Sequence, residues 1–354
     1  MRFSSPRRRR APATAVTVLL VAVVSAACGS SSGAEGTPAA GRTEDPEATV
    51  EAGPVTIDHA FGETEIPADP QRVVTWGWGA TDAALALGVV PVAVPYQAYG
   101  GDDEGVLPWV REYVEAEGLE LPEILPDTQE APVEAIAAAR PDLILAPYSG
   151  ITDAEYAQLS QVAPTVAYPE EAWTTPWRET IEIVGEALGR GDQAQELLAD
   201  IDEQVAAAAA EHPEFEGLSV AQVFPSPDAF YVYKPADPRV EFTLDLGFAG
   251  AESVEQLAAG EETFFYTLSP ERLAELESDV LVVYADTPET AAAFLDSPEA
   301  ALMAQVERGA VAEVVGTDLV ASVSPPTALS LTWGIDSYVT ELAEAAAAAQ
   351  AAAR

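Results

Sequence analysis

Two segments of the chain, starting 137 residues apart, repeat one pattern: Glu134-x-Ile136-Ala137-x4-Asp142-Leu143-Ile144-Leu145 and Glu271-x-Leu273-Ala274-x4-Asp279-Val280-Leu281-Val282. In each, a glutamate opens a short helix, a polar Asp marks a turn, and an apolar run follows that suits a strand buried on both faces. A second pair, Leu85-Ala-Leu87-Gly88-Val89 and Leu244-Asp-Leu246-Gly247-Phe248, recurs in the same order. The repeat predicts two α/β lobes of related design. Two such lobes leave a cleft between them, where small ligands usually bind.

The remaining pattern fills in these lobes. Val55–Ile57 and Thr64–Ile66 read as a hairpin, 72–75 as the first core strand, 81–87 as a helix closed by Gly88, 89–94 as a strand and 110–117 as a helix. Strands alternating with helices imply mainly parallel sheets. From Pro176 to His212 the pattern turns wholly helical, broken at 188–192, with Asp192 placed to cap a helix over 193–211. That helix carries Ala194, Leu197, Leu198, Ile201 and Val205 on one face, and its roughly 28 Å length is enough to run from lobe to lobe. Strands at 219–224, 230–233 and 280–284 follow, then a final helix from Ile335 whose Ala-rich tail beyond Leu342 reads as a fraying end. The predicted architecture is two Rossmann-like lobes, 54–190 and 213–347, each a mainly parallel sheet with flanking helices, joined by one long helix over 191–212.

Residues 1–27 hold five arginines, no acid, and the apolar run Ala15–Val24 before Ser25-Ala26-Ala27-Cys28. This is an export signal, too short for a span of about 20 apolar residues. Cys28 is the sole cysteine, so no disulfide forms within one chain. Its setting resembles a bacterial lipobox, although Ser25 stands where an aliphatic residue is usual; ordinary cleavage after Ala27 is the alternative. Residues 28–53 then form a flexible tether.

With the signal removed, 11 of the 16 cations remain against 59 acids, a formal net charge near -48. Such a surface repels phosphate backbones and anionic lipid, which excludes nucleic acid as a partner. Hydrophobic content of 48% provides ample material for packed cores. The only histidines, His59 and His212, stand apart and outside any ligand-spaced acidic cluster, so no imidazole metal site is expected. No phosphate loop and no Gly-x-Ser-x-Gly elbow occur either, and the chain is expected not to be an enzyme or to hold a cofactor.

Aromatic residues gather just beyond the predicted strand ends: Trp76 and Trp78, Tyr96 and Tyr99, then Tyr148, with Trp173 and Trp177 ahead of the crossing helices. In open α/β sheets those ends face the ligand crevice. Trp76 and Trp177 read as ordinary core or rim residues; the others predict a cleft for a bulky, partly apolar ligand. The second lobe adds Tyr231, Tyr233, Lys234, which is the only lysine, and Arg239. They form either a wall for an anionic or carbonyl-rich ligand or ion pairs with Asp237 and Glu241. Glu134 and Glu271 suit first helical turns, yet their matched places also suit docking onto basic pockets of a two-subunit partner.

These stretches, with Phe61-Gly62, Pro70–Val74, Trp177-Arg178, Leu188-Gly189 and Pro326–Trp333, resemble the ferric-siderophore and vitamin B12 binding proteins of bacterial ABC importers. The resemblance covers about residues 54–345 and looks most like the iron-siderophore branch of high-GC Gram-positive bacteria. It implies a monomeric, lipid-anchored protein on the outer face of the cell membrane that delivers a ferric siderophore to a permease dimer. Glu134 and Glu271 would meet permease arginines. Trp78, Tyr96, Tyr148, Trp173, Tyr231, Tyr233, Lys234, Arg239 and Trp333 would contact the ligand, and the siderophore's own oxygens would hold the iron. Another large chelate such as a corrinoid or haem is the alternative within the class, and a cell-surface hydrolase the alternative outside it; a histidine-kinase sensor role stays open. The sequence does not choose among hydroxamate, catecholate and carboxylate siderophores.

Overall fold

The computed structural model describes residues 53–258 and 264–352. The export signal, Cys28 and nearly all of the tether lie outside them. Among the described residues no helix is long and apolar enough to cross a membrane.

A hairpin of β1 (Val55–His59) and β2 (Gly62–Ile66) leads into the first sheet. That sheet has five parallel strands in the order β5-β4-β3-β6-β7, comprising β3 (Val73–Thr75), β4 (Ala93–Val94), β5 (Glu123–Ile124), β6 (Leu143–Leu145) and β7 (Thr165–Val166). The second sheet orders its main path β11-β9-β8-β12-β13, with β10 also on β8. Its strands are β8 (Ser219–Pro225), β9 (Phe230–Tyr233), β10 (Ala249–Gly250), β11 (Phe265–Leu268), β12 (Val280–Ala285) and β13 (Val311–Val315). β9 and β11 run antiparallel to their neighbours. Every residue of β12 is buried, as a parallel strand covered on both faces requires, and each such valine contributes about 2 kcal/mol of burial.

The repeated aspartates have one structural job. Asp142 accepts from the backbone N–H groups of Gln71 (2.9 Å) and Arg72 (2.8 Å), and its own N–H donates to the Arg72 carbonyl. Asp279 accepts from the N–H of Ser219 (2.8 Å) and its hydroxyl (2.7 Å), and its N–H donates to the Ser219 carbonyl. Each carboxylate therefore clamps the start of the neighbouring strand and sets the β6–β3 or β12–β8 register.

The crossing helix spans Gly191–Glu211 and buries Ala194, Leu198, Ile201 and Val205, the predicted face. At 21 residues it is about 31 Å long. Asp192 is not its cap: the helix begins one residue earlier, at Gly191, with Arg190 at the N-cap and no side-chain cap bond. One apolar core includes Leu143, Val166 and Ile181 of the first lobe, this helix, and Val282, Tyr284 and Val314 of the second. The Ala-rich tail differs from expectation. The last helix, Ser330–Ala352, starts earlier than predicted and buries Ala345, Ala346 and Ala349 in that core, because small side chains allow close approach. β11 and β13 were not apparent as strands, and the strand expected over 89–94 is confined to Ala93–Val94.

Arg178, at the start of the helix Trp177–Ala187, ties three helices together. It contacts Asp202 of the crossing helix and Glu241 and Asp245 of the helix Pro238–Asp245, each at 2.8 Å. Its guanidinium also lies 4.1 Å from the Trp177 ring centroid. Burial works against its charge, but the acids outweigh burial and raise its pKa.

Candidate functional site

The Trp76-Gly77-Trp78-Gly79 loop leaves β3 in a conformation only glycine accommodates. Gly77 has φ 89, and a Cβ there would lie 2.4 Å from the Tyr148 carbonyl. The Trp78 N–H donates to that same carbonyl (2.9 Å), locking the loops after β3 and β6 together. Beyond β6, Gly150 leaves room for the Trp173 indole, which a Cβ would meet at 2.3 Å. Trp173 itself adopts φ 62, and its ring meets Tyr148 edge-on at 5.6 Å. A bulky residue held at positive φ while remaining 41% exposed is consistent with a role outside the core.

The second lobe answers with a buried cation. Asp237 caps the helix Pro238–Asp245 by accepting from the Arg239 N–H, and accepts again from Arg239 Nε at 2.7 Å. Their side chains are 2% and 12% exposed. The guanidinium sits 3.7 Å from the Tyr233 ring centroid and 5.9 Å from that of Tyr284, whose hydroxyl donates to Gln222 and also meets the hydroxyl of Tyr338. Burial opposes the Arg239 charge, yet Asp237 and the surrounding tyrosine oxygens more than offset it and hold the guanidinium protonated. Burial raises Asp237 above its ordinary value, with Arg239 pulling against it.

Charges of the second set act on the first across the lobes. Burial lifts the Tyr148 hydroxyl well above its usual range, and Asp237 and Arg239 both act on it. Tyr99, from the loop after β4, donates to Asp286 beyond the end of β12 at 2.8 Å. Its pKa is raised first by burial and then by that carboxylate, and it lies within the influence of Tyr233 and Arg239. Trp78 Nε1 donates to the Pro325 carbonyl at 3.1 Å, a second link between first-lobe and C-terminal segments.

The structure thus groups Tyr148, Trp173, Tyr233 and Arg239 of the expected site, with Tyr231 on the same face of β9 stacked edge-on to Phe265. Lys234 follows directly and is engaged by a partner of its own. The Asp237 pairing anticipated from sequence holds for Arg239, whereas Glu241 turns to Arg178. Trp78 lies beside Tyr148 and also packs, with Trp333, on a cluster around Leu107 and Trp109, while the Tyr96 ring covers Gly105. Trp177 is core, as read. Tyr99 and Asp286 complete the cross-lobe contact; Tyr99 had a signal in its place after a strand, whereas nothing marked Asp286 among so many acids. Glu134 and Glu271 are both exposed and make no ion pair among the described residues; Glu134 lies in the first turn of the α-helix Val133–Ala139 and Glu271 in that of the 3-10 helix Pro270–Glu275.

The space at the floor of this contact is small, about 10 Å³ among Trp78, Tyr148, Trp177 and Thr327. A wider groove of about 1040 Å³ opens on the second lobe between Pro225, Phe230, Leu268, Pro270 and Phe294. It stands apart from the tyrosine and arginine cluster. The cluster joins two lobes and concentrates buried charge and hydrogen-bond donors, so it, rather than the groove, is the candidate site.

A fold of two parallel-based lobes bridged by one helix, with the polar site between them, defines a class of extracytoplasmic solute-binding proteins. The chain belongs to the periplasmic binding protein family, which it matches over residues 73–314. It is 31% identical over 234 residues, 65% of this chain and 68% of the relative, to "Probable siderophore-binding lipoprotein YfiY" of Bacillus subtilis. Over a shorter stretch, 44% of this chain and 48% of the relative, it is 31% identical to the ferric enterobactin-binding periplasmic protein FepB of Escherichia coli. The crystal structure of PiaA of Streptococcus pneumoniae in complex with ferrichrome superposes with a TM-score of 0.76 at 34% identity, covering 83% of this chain and 99% of that one.

Proposed function

We propose that the chain captures a ferric siderophore between its lobes and presents it to the permease of an ABC importer. The observation that carries this reading is the cross-lobe cluster: Tyr99, Tyr148 and Trp173 on one side, Tyr231, Tyr233 and Arg239 on the other. Aromatic faces bury the organic scaffold of a chelate, and Arg239 and the tyrosine hydroxyls donate to its oxygens. No covalent step is needed, and iron stays within the siderophore. Glu134 and Glu271, exposed at matched positions of the two lobes, would dock on permease arginines. The lipidated Cys28 would hold the protein at the membrane.

Tryptophan-fluorescence titration of the mature protein with ferric siderophores, their iron-free forms, haem and cobalamin tests the reading. Saturable quenching by a ferric siderophore, and not by its iron-free form, is the expected result. Quenching by haem or cobalamin alone would leave the fold and discard the ligand.

A further inference from the structure

The charges at the cleft separate siderophore classes that the sequence left open, an inference that rests on the siderophore reading above. Among the described residues Arg239 is the cation that acts on Tyr99, Tyr148 and Tyr233. Its charge is already matched by Asp237 through a 2.7 Å contact, and it lies under the Tyr233 ring. Lys234, five residues earlier, has an interaction of its own. Beyond the end of β12 in the same lobe stands the carboxylate of Asp286, exposed and bonded by the hydroxyl of Tyr99 from the first lobe. The wall therefore offers donors, aromatic faces, a guanidinium already matched by Asp237 and an exposed carboxylate, inside a chain that carries 59 acids and 16 cations in all.

We infer that the cleft selects a ferric chelate of zero or slightly positive net charge, the iron(III) tris-hydroxamate class, over tris-catecholate and citrate-type complexes. Three singly charged hydroxamates cancel the charge of iron(III), whereas three doubly charged catecholates leave a trianion. An anion brought against Asp286 meets, in Arg239, a guanidinium already paired with Asp237, and poor solvation between the lobes strengthens the repulsion. A neutral complex escapes it and still presents hydroxamate oxygens to Arg239 and the tyrosines.

Calorimetric titration of the mature protein with ferrichrome, ferrioxamine B, ferric enterobactin and ferric dicitrate, each at low and at physiological ionic strength, tests this. The two hydroxamates should bind at least about tenfold tighter than either anion, and any anion binding should strengthen as salt screens the wall. Tighter binding of enterobactin or dicitrate would overturn the class while leaving the siderophore function standing. Binding of none of the four would remove that function, and this inference with it. In Asp286→Lys, at an exposed position, the ratio of enterobactin to ferrichrome affinity should rise about tenfold. An unchanged ratio would show that wall charge does not set the choice.

Discussion

The two lobes share a plan and divide the labour. In the first, five parallel strands of two or three residues end in loops, and Trp78, Tyr96, Tyr99, Tyr148 and Trp173 all stand on those loops. In the second, strands reach seven residues, and Tyr231 and Tyr233 stand on β9 itself, with Arg239 in the first turn of the helix that follows. β9 and β11 are the antiparallel strands that break the repeat. One wall of the cleft is therefore built from loops and the other from a strand and the start of a helix. The lesson is that departure from the shared plan, more than the plan, marks where the second lobe was specialised.

The largest test of that division concerns what the lobes still share. Reversing both Glu134 and Glu271 to Arg should reduce uptake in cells to background while ligand titrations are unchanged; uptake that survives the double change would deny the matched glutamates a common role. Next comes the second-lobe wall. Arg239→Ala strands Asp237, buried without its partner, and should cost about 3–5 kcal/mol in urea unfolding. Adding Asp237→Asn should recover part of that loss, and a double variant no more stable than Arg239→Ala would mean that packing, not charge, set the cost.

The first lobe has its own buried acid at the seam with the C-terminal segment. Asp82 accepts from Trp109 Nε1 (2.6 Å) and from the Thr327 hydroxyl, and burial raises its carboxyl to about 6 against the pull of those bonds. Because the folded pKa exceeds the unfolded one, the folded state holds the proton more tightly. Stability from this group is full below about pH 4 and is lost as pH rises to about 6, a change of about 3 kcal/mol. Asp82→Asn should flatten that slope in unfolding midpoints measured across the range; an unaltered slope would assign it to other acids.

Smaller effects compare the matched clamps. Asp142→Ala and Asp279→Ala should each cost about 1–3 kcal/mol, Asp279, whose bonds are the less exposed, costing more, and equal losses would make the two clamps equivalent despite their settings. Tyr99→Phe removes one cross-lobe bond and should weaken ligand binding by about 1 kcal/mol, read as a faster dissociation rate.

Much of this was legible in the sequence because periodicity reports burial. The repeated Glu-to-Asp segments, the apolar face of the crossing helix and the hairpin at 55–66 all follow from which residues must leave water. β13 was hidden because Val311–Val315 carries Glu313 in a strand otherwise apolar, and β11 because an antiparallel strand was not expected after a helix–strand repeat. At the candidate site, Tyr148, Trp173, Tyr233 and Arg239 carried a signal in rarity and in position after strands. Strand-end position gives the direction of a side chain poorly: the backbone of Trp78 bonds Tyr148 while its indole turns to Pro325. Asp286 gave no signal, since one carboxylate in a strongly acidic chain is indistinguishable until its neighbour is known.

Arg178 has a consequence for the medium in which the protein works. Oxygens of Asp202 and Asp245 each lie 2.8 Å from its Nη2, so they stand no more than twice that distance from each other, with Glu241 on Nη1. Three carboxylates gathered on one cation repel one another as well as bind it. Dissolved salt, acting over about 8 Å at physiological strength, relieves that crowding along with weakening the contacts. The junction of the three helices should accordingly lose less grip in brine than an isolated surface pair, which suits a protein whose whole exterior calls for counterions.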